Sequence, residues 1–221
     1  MADTVFVGTG NGALYGLDRG DGVLRWEHQL SGSATGQPAV DSGVAYVPGG
    51  DAVWAYDEAG ERRWQAPVVG ASTASLAPEG VYVADERGLA ILEPGTGEEQ
   101  WRVHTSAVGA PAIGDSFVFT GGRDGAVHAH DRGGGDGGWY YRPGGFEATF
   151  GPPVLGGDTV YAMQVSGREP GIHALAADSG DRRWHYGLDD PGWPVAAGRD
   201  RVYATDGGRV VAVSPTARLE L

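Results

Sequence analysis

The chain of 221 residues carries 16 basic side chains, every one arginine, against 29 acids of which 18 are aspartate, and its formal net charge is −13. A surface of that sign repels phosphate, which argues against nucleic acid and anionic membrane as partners, and the lack of cysteine excludes disulfides, thiol catalysis and cysteine-ligated metal. No apolar run approaches the ~20 residues of a membrane span, and the opening MADTVFVGTG lacks the basic-then-apolar layout of a signal peptide, so the expectation is a cytoplasmic protein without membrane insertion.

In chain order, Thr4–Gly8 and Ala13–Asp18 alternate with period two and read as strands joined through Thr9-Gly10-Asn11-Gly12; residues 23–28 read as a third. The stretch 16–26, GLDRGDGVLRW, then recurs as AYDEAGERRW (55–64), ILEPGTGEEQW (91–101), AHDRGGGDGGW (129–139) and ALAADSGDRRW (174–184). A sixth copy opens at Ala212 and has Leu221 where tryptophan is expected. The tryptophans Trp26, Trp64, Trp101, Trp139 and Trp184 stand 38, 37, 38 and 45 residues apart. That interval, with no 3.6-residue period inside it, is the length of a propeller blade. Each copy has the same parts. A strand with a small residue between two larger ones leads to Asp18, Asp57 or Asp131, whose carboxylate can accept backbone N–H bonds in a turn. Gly22, Gly60, Gly97 or Gly180 then supplies the φ > 0 position, and the tryptophan is expected to lie buried between sheets.

From the second copy onward a short strand precedes the pair, introduced by Gly-x-Pro in four of the five: GQPAV (36–40), STASL (72–76), which lacks the motif, GAPAI (109–113), GPPVL (151–155) and GWPVA (192–196). With the second strands VAYV, VYV, FVF, VYAM and VYAT, this predicts one all-β domain over 1–221: a β-propeller of six four-stranded blades, the first three-stranded because it lacks the inner strand. Two loops on one end break the repeat. YYRPGGFEATFGP (140–152) and QVSGREPG (164–171) both fall between the fourth and fifth copies and should be neighbours.

The copies resemble the tryptophan-docking motif of the pyrroloquinoline-quinone (quinoprotein-type) repeat family, Ala-x-Asp-x-x-Thr-Gly-Lys-x-x-Trp; the third carries Thr96, Gly97 and Trp101 in register, the first Asp18, Gly22 and Trp26. The resemblance covers almost the whole chain. It implies a propeller whose Gly-x-Pro strands line a central channel, in a family that includes calcium- and quinone-dependent dehydrogenases and an outer-membrane assembly lipoprotein. Six blades closing within one chain would leave a monomer. Part of an eight-bladed ring would leave the faces around Leu14 and Val211 uncovered and favour a dimer.

Chemistry is sparser than architecture. His128 and His130 share one side of a strand and His173 occupies the column of His128, a pattern that could converge on a metal; but the same columns hold Tyr15, Trp54, Leu17 and Tyr56 in other copies, so packing is the expectation and a metal centre is not. Asn11 is the only asparagine, which thins the supply of calcium ligands, and carboxylate pairs such as Asp189-Asp190 read as solvated loop charge. The expected function is therefore a non-catalytic binding scaffold without a cofactor. Its partner would be a protein or a small-molecule or glycan ligand held by Arg142, Phe146, Glu147, Phe150, Arg168 and Trp193, since a ring beside arginine is a common anchor. The alternatives are a dehydrogenase using pyrroloquinoline quinone with calcium, or a remnant of one, and a carbohydrate-binding propeller. Abundant aspartate without lysine further resembles proteins of salt-loving microbes.

Overall fold

The computed structural model describes residues 3–32, 37–71, 73–144 and 147–214, and every regular element among them is a strand. No helix is long and apolar enough to cross a membrane. The chain forms two compact units, Met1–Thr105 and Ser106–Leu221.

In the first unit the strands run as three antiparallel sheets: β1 (Thr4–Gly8), β2 (Ala13–Asp18) and β3 (Leu24–Gln29); β4 (Ala39–Asp41), β5 (Val44–Gly49), β6 (Ala52–Asp57) and β7 (Arg62–Pro67); β8 (Ala74–Ala77), β9 (Gly80–Asp85), β10 (Gly88–Leu92) and β11 (Glu99–Val103). The second unit repeats the plan: β12 (Ala107–Ile113), β13 (Phe117–Gly122), β14 (Val127–Asp131) and β15 (Tyr140–Tyr141) form the fourth sheet. In the fifth, β16 (Thr149–Phe150) and β17 (Val154–Gly156) both pair with β18 (Thr159–Ser166), followed by β19 (Gly171–Ala176) and β20 (Arg182–Gly187). The sixth sheet is β21 (Pro191–Ala197), β22 (Val202–Asp206) and β23 (Arg209–Val213). The first sheet is three-stranded, as its missing Gly-x-Pro segment predicts; the position of Leu221 lies outside the described residues.

One register runs through all six sheets: Phe6↔Gly16, Tyr46↔Ala55, Tyr82↔Ile91, Phe119↔Ala129, Tyr161↔Ala174 and Tyr203↔Ala212. The turn aspartates do what their chemistry allows. Asp18 Oδ1 accepts from the Gly20 amide at 2.7 Å, Asp57 Oδ1 from Ala59 and Glu61, and Asp131 Oδ1 from Gly133, while Glu93 serves the same purpose in the third sheet. Gly22, Gly60, Gly97 and Gly180 all adopt the expected positive φ, near 75–84°.

Trp26, Trp64 and Trp139 each reach the next sheet. The Trp26 indole donates to Glu58 O at 2.9 Å, Trp64 to Pro94 O at 2.7 Å and Trp139 to Ala177 O at 3.1 Å, and each ring lies against the turn glycine that follows, Gly60, Gly97 or Gly180. Of the five repeat tryptophans, however, only Trp64 is buried, at 8% exposure; Trp26, Trp101, Trp139 and Trp184 are half-buried. Between successive sheets the apolar faces close on one another: Phe6 and Leu14 on Ala45 and Val47; Tyr46, Val53 and Ala55 on Val81 and Val83; Phe119 and Val127 on Val160 and Ala162; Tyr161, Ile172 and Ala174 on Val202 and Ala204.

The Gly-x-Pro segments depart from the expected short strands. In the fourth and sixth sheets the strand begins earlier and is broken by a bulge at the Pro-containing segment, between Val108 and Ala112 and between Gly192 and Ala196. In the fifth, Gly151-Pro152-Pro153 splits it into β16 and β17, since two consecutive prolines donate no ladder bond. These inner segments pack on their neighbours within a unit: Gln37 bridges Thr73, Pro152 lies on Gly109, and the Trp193 indole covers Gly151 so closely that a Cβ there would overlap it.

Candidate interaction site

The two irregular loops meet, as their place in the repeat predicts. Ser166 Oγ donates to Glu147 O at 3.3 Å, Ala148 lies against Gly167, and the Arg168 backbone is the nearest neighbour of Gly144. Register explains why. Thr149 pairs with Ser166 and Phe150 with Gln164, so the hairpin between β18 and β19 projects from the same end as the connection from β15 to β16.

Among the predicted binding residues, Arg168 and Glu147 are exposed on these loops and Trp193 keeps 42% of its surface exposed. Arg142 is half-buried. Its guanidinium is held by Asp124, with Nη2 to Oδ2 at 2.9 Å and Nε to the backbone carbonyl at 3.1 Å, and it lies over the Tyr140 ring at 5.4 Å. Phe150 is not a surface contact in this conformation: it is wholly buried, edge-on to Tyr141 and His173, because its strand position points into the interface between the fourth and fifth sheets. Phe146 lies outside the described residues.

The histidines are structural partners to one another. His128 Nε2 bonds Asp124 Oδ2 at 2.9 Å and its ring stacks on His130, whose Nε2 meets Thr120 Oγ1 at 3.2 Å. His173, fully buried, uses both nitrogens: the Tyr141 hydroxyl donates to Nδ1 at 3.0 Å, and Nε2–H donates to Glu169 O at 2.9 Å. Arg182 completes the chain, donating to the Tyr141 oxygen at 3.4 Å and pairing with the Glu169 carboxylate at 2.9 Å. The β18–β19 hairpin is thereby bolted to β15 by one continuous string of donors and acceptors. Burial holds His130 down to about 4 and His173 to about 3, so both imidazoles are neutral near neutrality. Burial alone would raise the Asp124 carboxyl, but hydrogen bonds from Ser106, His128 and Arg142 bring it below its ordinary value. No group of three or more potential metal ligands occurs among the described residues.

Sequence reasoning missed three residues here. Asp124, in the turn from β13 to β14, fixes Arg142; Tyr140, 67% exposed, is the most exposed aromatic ring among the described residues; Tyr141 anchors His173. The adjacent tyrosines at the start of the irregular loop were the available signal. Asp124 gave none, because a turn aspartate looks the same whether or not it pairs with a distant arginine.

Comparison with known proteins places this geometry in a family. The chain is 31% identical over 171 residues to the serine/threonine-protein kinase AfsK of Streptomyces coelicolor; the match takes in 75% of this chain and 20% of the kinase, so the chain spans about a fifth of that relative's length. In fold it is similar to BamB from Moraxella catarrhalis, with a TM-score of 0.68 at 18% identity over 99% of this chain and 84% of the other. It is likewise similar to Saccharomyces cerevisiae Sqt1, with a TM-score of 0.70 at 17% identity over 97% and 69%. The model of the family described as outer membrane protein assembly factor BamB matches residues 1–107 and again 85–217, and the chain accordingly belongs to this family of PQQ-like repeat β-propellers.

Proposed function

We propose that the chain is a non-catalytic propeller scaffold that binds a protein partner through the loop end of its second unit, with Trp193, Arg168, Arg142, Tyr140 and Glu147 as contact side chains. The observation that carries this reading is Trp193. A large ring 42% exposed is seated on a glycine, Gly151, that leaves no room for any other side chain beneath it. A rigidly backed aromatic with arginines on the neighbouring loops is the composition of an interface anchor. Support also comes from how the titratable groups are used: Asp124, His128, Tyr141, His173, Glu169 and Arg182 are engaged with one another in holding the loops. The family's description as an assembly factor, and a relative that is a much longer kinase, fit a module that serves by binding.

A quinone with calcium does not fit these side chains. Two of the carboxylates at this end, Asp124 and Glu169, already face the guanidiniums of Arg142 and Arg182, which puts positive charge beside oxygens that a calcium ion would need. The experiment is turnover of alcohols and sugars with added pyrroloquinoline quinone and calcium, alongside binding of the purified chain to displayed random peptides. No turnover, with peptide binding that Trp193→Ala abolishes, is the expected result; dehydrogenase activity above background overturns the scaffold reading.

A further inference from the structure

At the end of the second unit opposite its irregular loops, the turns from β12 to β13, from β17 to β18 and from β19 to β20 enclose a cleft of about 410 Å³ between the fourth and fifth sheets. That is the size of a ligand-binding cleft. Its floor is apolar: Phe119 is buried and Phe117 half-buried, their ring centroids 6.3 Å apart, and Leu155 joins them from the fifth sheet. Gly114 keeps the gap open, since a Cβ there would fall 3.0 Å from Phe119 and 3.3 Å from Leu155. The rim is acidic, with Asp115, Asp158 and Asp178 all exposed. Arg183 is the one cation among the described lining residues, and it is engaged side-on with Asp158: Nη1 donates to Oδ1 and Nη2 to Oδ2, each at 2.7 Å, and Nη1 also to Thr159 Oγ1 at 2.6 Å. Three carboxylates against one guanidinium leave the lining with an excess of negative charge.

The first unit has a cleft at the same place in the repeat, about 450 Å³ between the second and third sheets, and its chemistry differs. The shared register puts Tyr46 in the Phe119 column, and the Tyr46 hydroxyl donates to Pro94 O at 3.5 Å. Pro78 and Pro94 stand where the other cleft has Gly157 and Ala177, and Asp41 is the one charged group among the described lining residues. The repeat alone thus supplies a cleft. The paired phenylalanines and the acidic excess are additions made in the second unit only.

We infer that the cleft between the fourth and fifth sheets receives an arginine side chain from a protein partner. Charge complementarity selects a cation, and the floor selects which one. A guanidinium is planar and weakly hydrated, so it stacks on an aromatic face such as Phe117 while its fork of N–H groups donates to carboxylates at the rim, and its aliphatic stem lies on Leu155. Lysine meets the charge but not the stacking, because its ammonium is compact and strongly hydrated. The rim is exposed, so salt weakens the contact. This site is separate from the Trp193 surface and stands or falls independently of it.

The test is an NMR titration of the isotope-labelled chain with the blocked tripeptide acetyl-Ala-Arg-Ala-amide, beside the same peptide with citrulline, a neutral isostere, or lysine at its centre. Amide shifts should concentrate at Asp115, Ser116, Phe117, Gly157, Asp158 and Asp178, and the citrulline peptide should bind about tenfold or more weakly, as expected when a charged donor loses its charge. The lysine peptide should fall between them. Asp115→Asn combined with Asp178→Asn changes only exposed side chains, so it should fold with an unchanged melting curve and weaken the arginine peptide about tenfold or more, whereas Trp193→Ala should leave the titration as it is. Equal binding of the arginine and citrulline peptides, shifts spread over the acidic surface without a focus at the cleft, or no shift at millimolar peptide would each overturn the inference. Ethylguanidinium that binds as tightly as the peptide would assign the cleft to a free small cation and overturn the partner.

Discussion

Replacing Gly97 by alanine should separate two effects that the repeat joins at one position. Gly97 has φ +75°, and a Cβ built there falls 2.5 Å from Trp64 Cε3, with the Trp64 indole fixed by its 2.7 Å bond to Pro94 O in the same turn. Alanine in the left-handed region costs about 1–2 kcal/mol. Forcing a methyl group into a packed ring adds about 1–3 kcal/mol, since either the ring or the turn must shift. Gly22→Ala is the internal control, because φ is again +75° but nothing lies within 4 Å of the added Cβ, so only the backbone cost remains. Urea unfolding followed by fluorescence should therefore give a loss for Gly97→Ala that exceeds that for Gly22→Ala by about 1–3 kcal/mol, at unchanged m. Equal losses, within about 0.5 kcal/mol, would refute the claim that the ring-on-glycine contact joins successive sheets.

Three further outcomes follow from the same structure. His130 and His173 are held neutral, at about 4 and about 3, whereas an unfolded imidazole titrates near 6.5; the unfolded chain binds more protons between those values, so their contribution is complete above about pH 6.5 and shrinks as pH falls, by on the order of 1 kcal/mol per pH unit per histidine. Urea melts between about pH 7 and pH 5 should show this decline, and NMR should find both rings untitrated there; a flat stability profile would contradict the buried assignment. With −13 on a small chain, the melting temperature should rise as salt shortens the screening length from ~10 Å at 0.1 M to ~3 Å at 1 M, and a flat or falling series would remove the salt-adapted reading of the composition. Added pyrroloquinoline quinone with calcium should leave the melting temperature where it is, because only a ligand that binds the folded state raises it; a clear upward shift would reopen the cofactor reading.

The repeat made the architecture legible. Period-two alternation, the turn carboxylate, the following glycine and the tryptophan are each local signals with a single geometric meaning, so the strands and their grouping into sheets could be read directly. The inner strands were less legible. Gly-x-Pro marks where they bend, and the missing ladder donors of Pro152-Pro153 account for the split in the fifth sheet, but the packing of these segments on a neighbouring sheet, Pro152 on Gly109 and Trp193 on Gly151, is encoded in no local pattern. The candidate site was legible only in part. Loop irregularity located it and Trp193 broke its column, yet Phe150 alternates inward with its strand partner Gln164, and Asp124 joins Arg142 across 18 residues through tertiary placement alone.

The central claim, that the loop end of the second unit is the binding surface, is tested most directly by affinity. Peptides selected from a random displayed library on the purified chain should be measured by calorimetry against the wild type, Trp193→Ala, Arg168→Glu and Val210→Glu. The account predicts that Trp193→Ala and Arg168→Glu each weaken binding about tenfold or more, corresponding to about 1.4 kcal/mol, while Val210→Glu, on a different face, leaves it unchanged. Selected peptides that bind Trp193→Ala and Arg168→Glu as tightly as the wild type would contradict it.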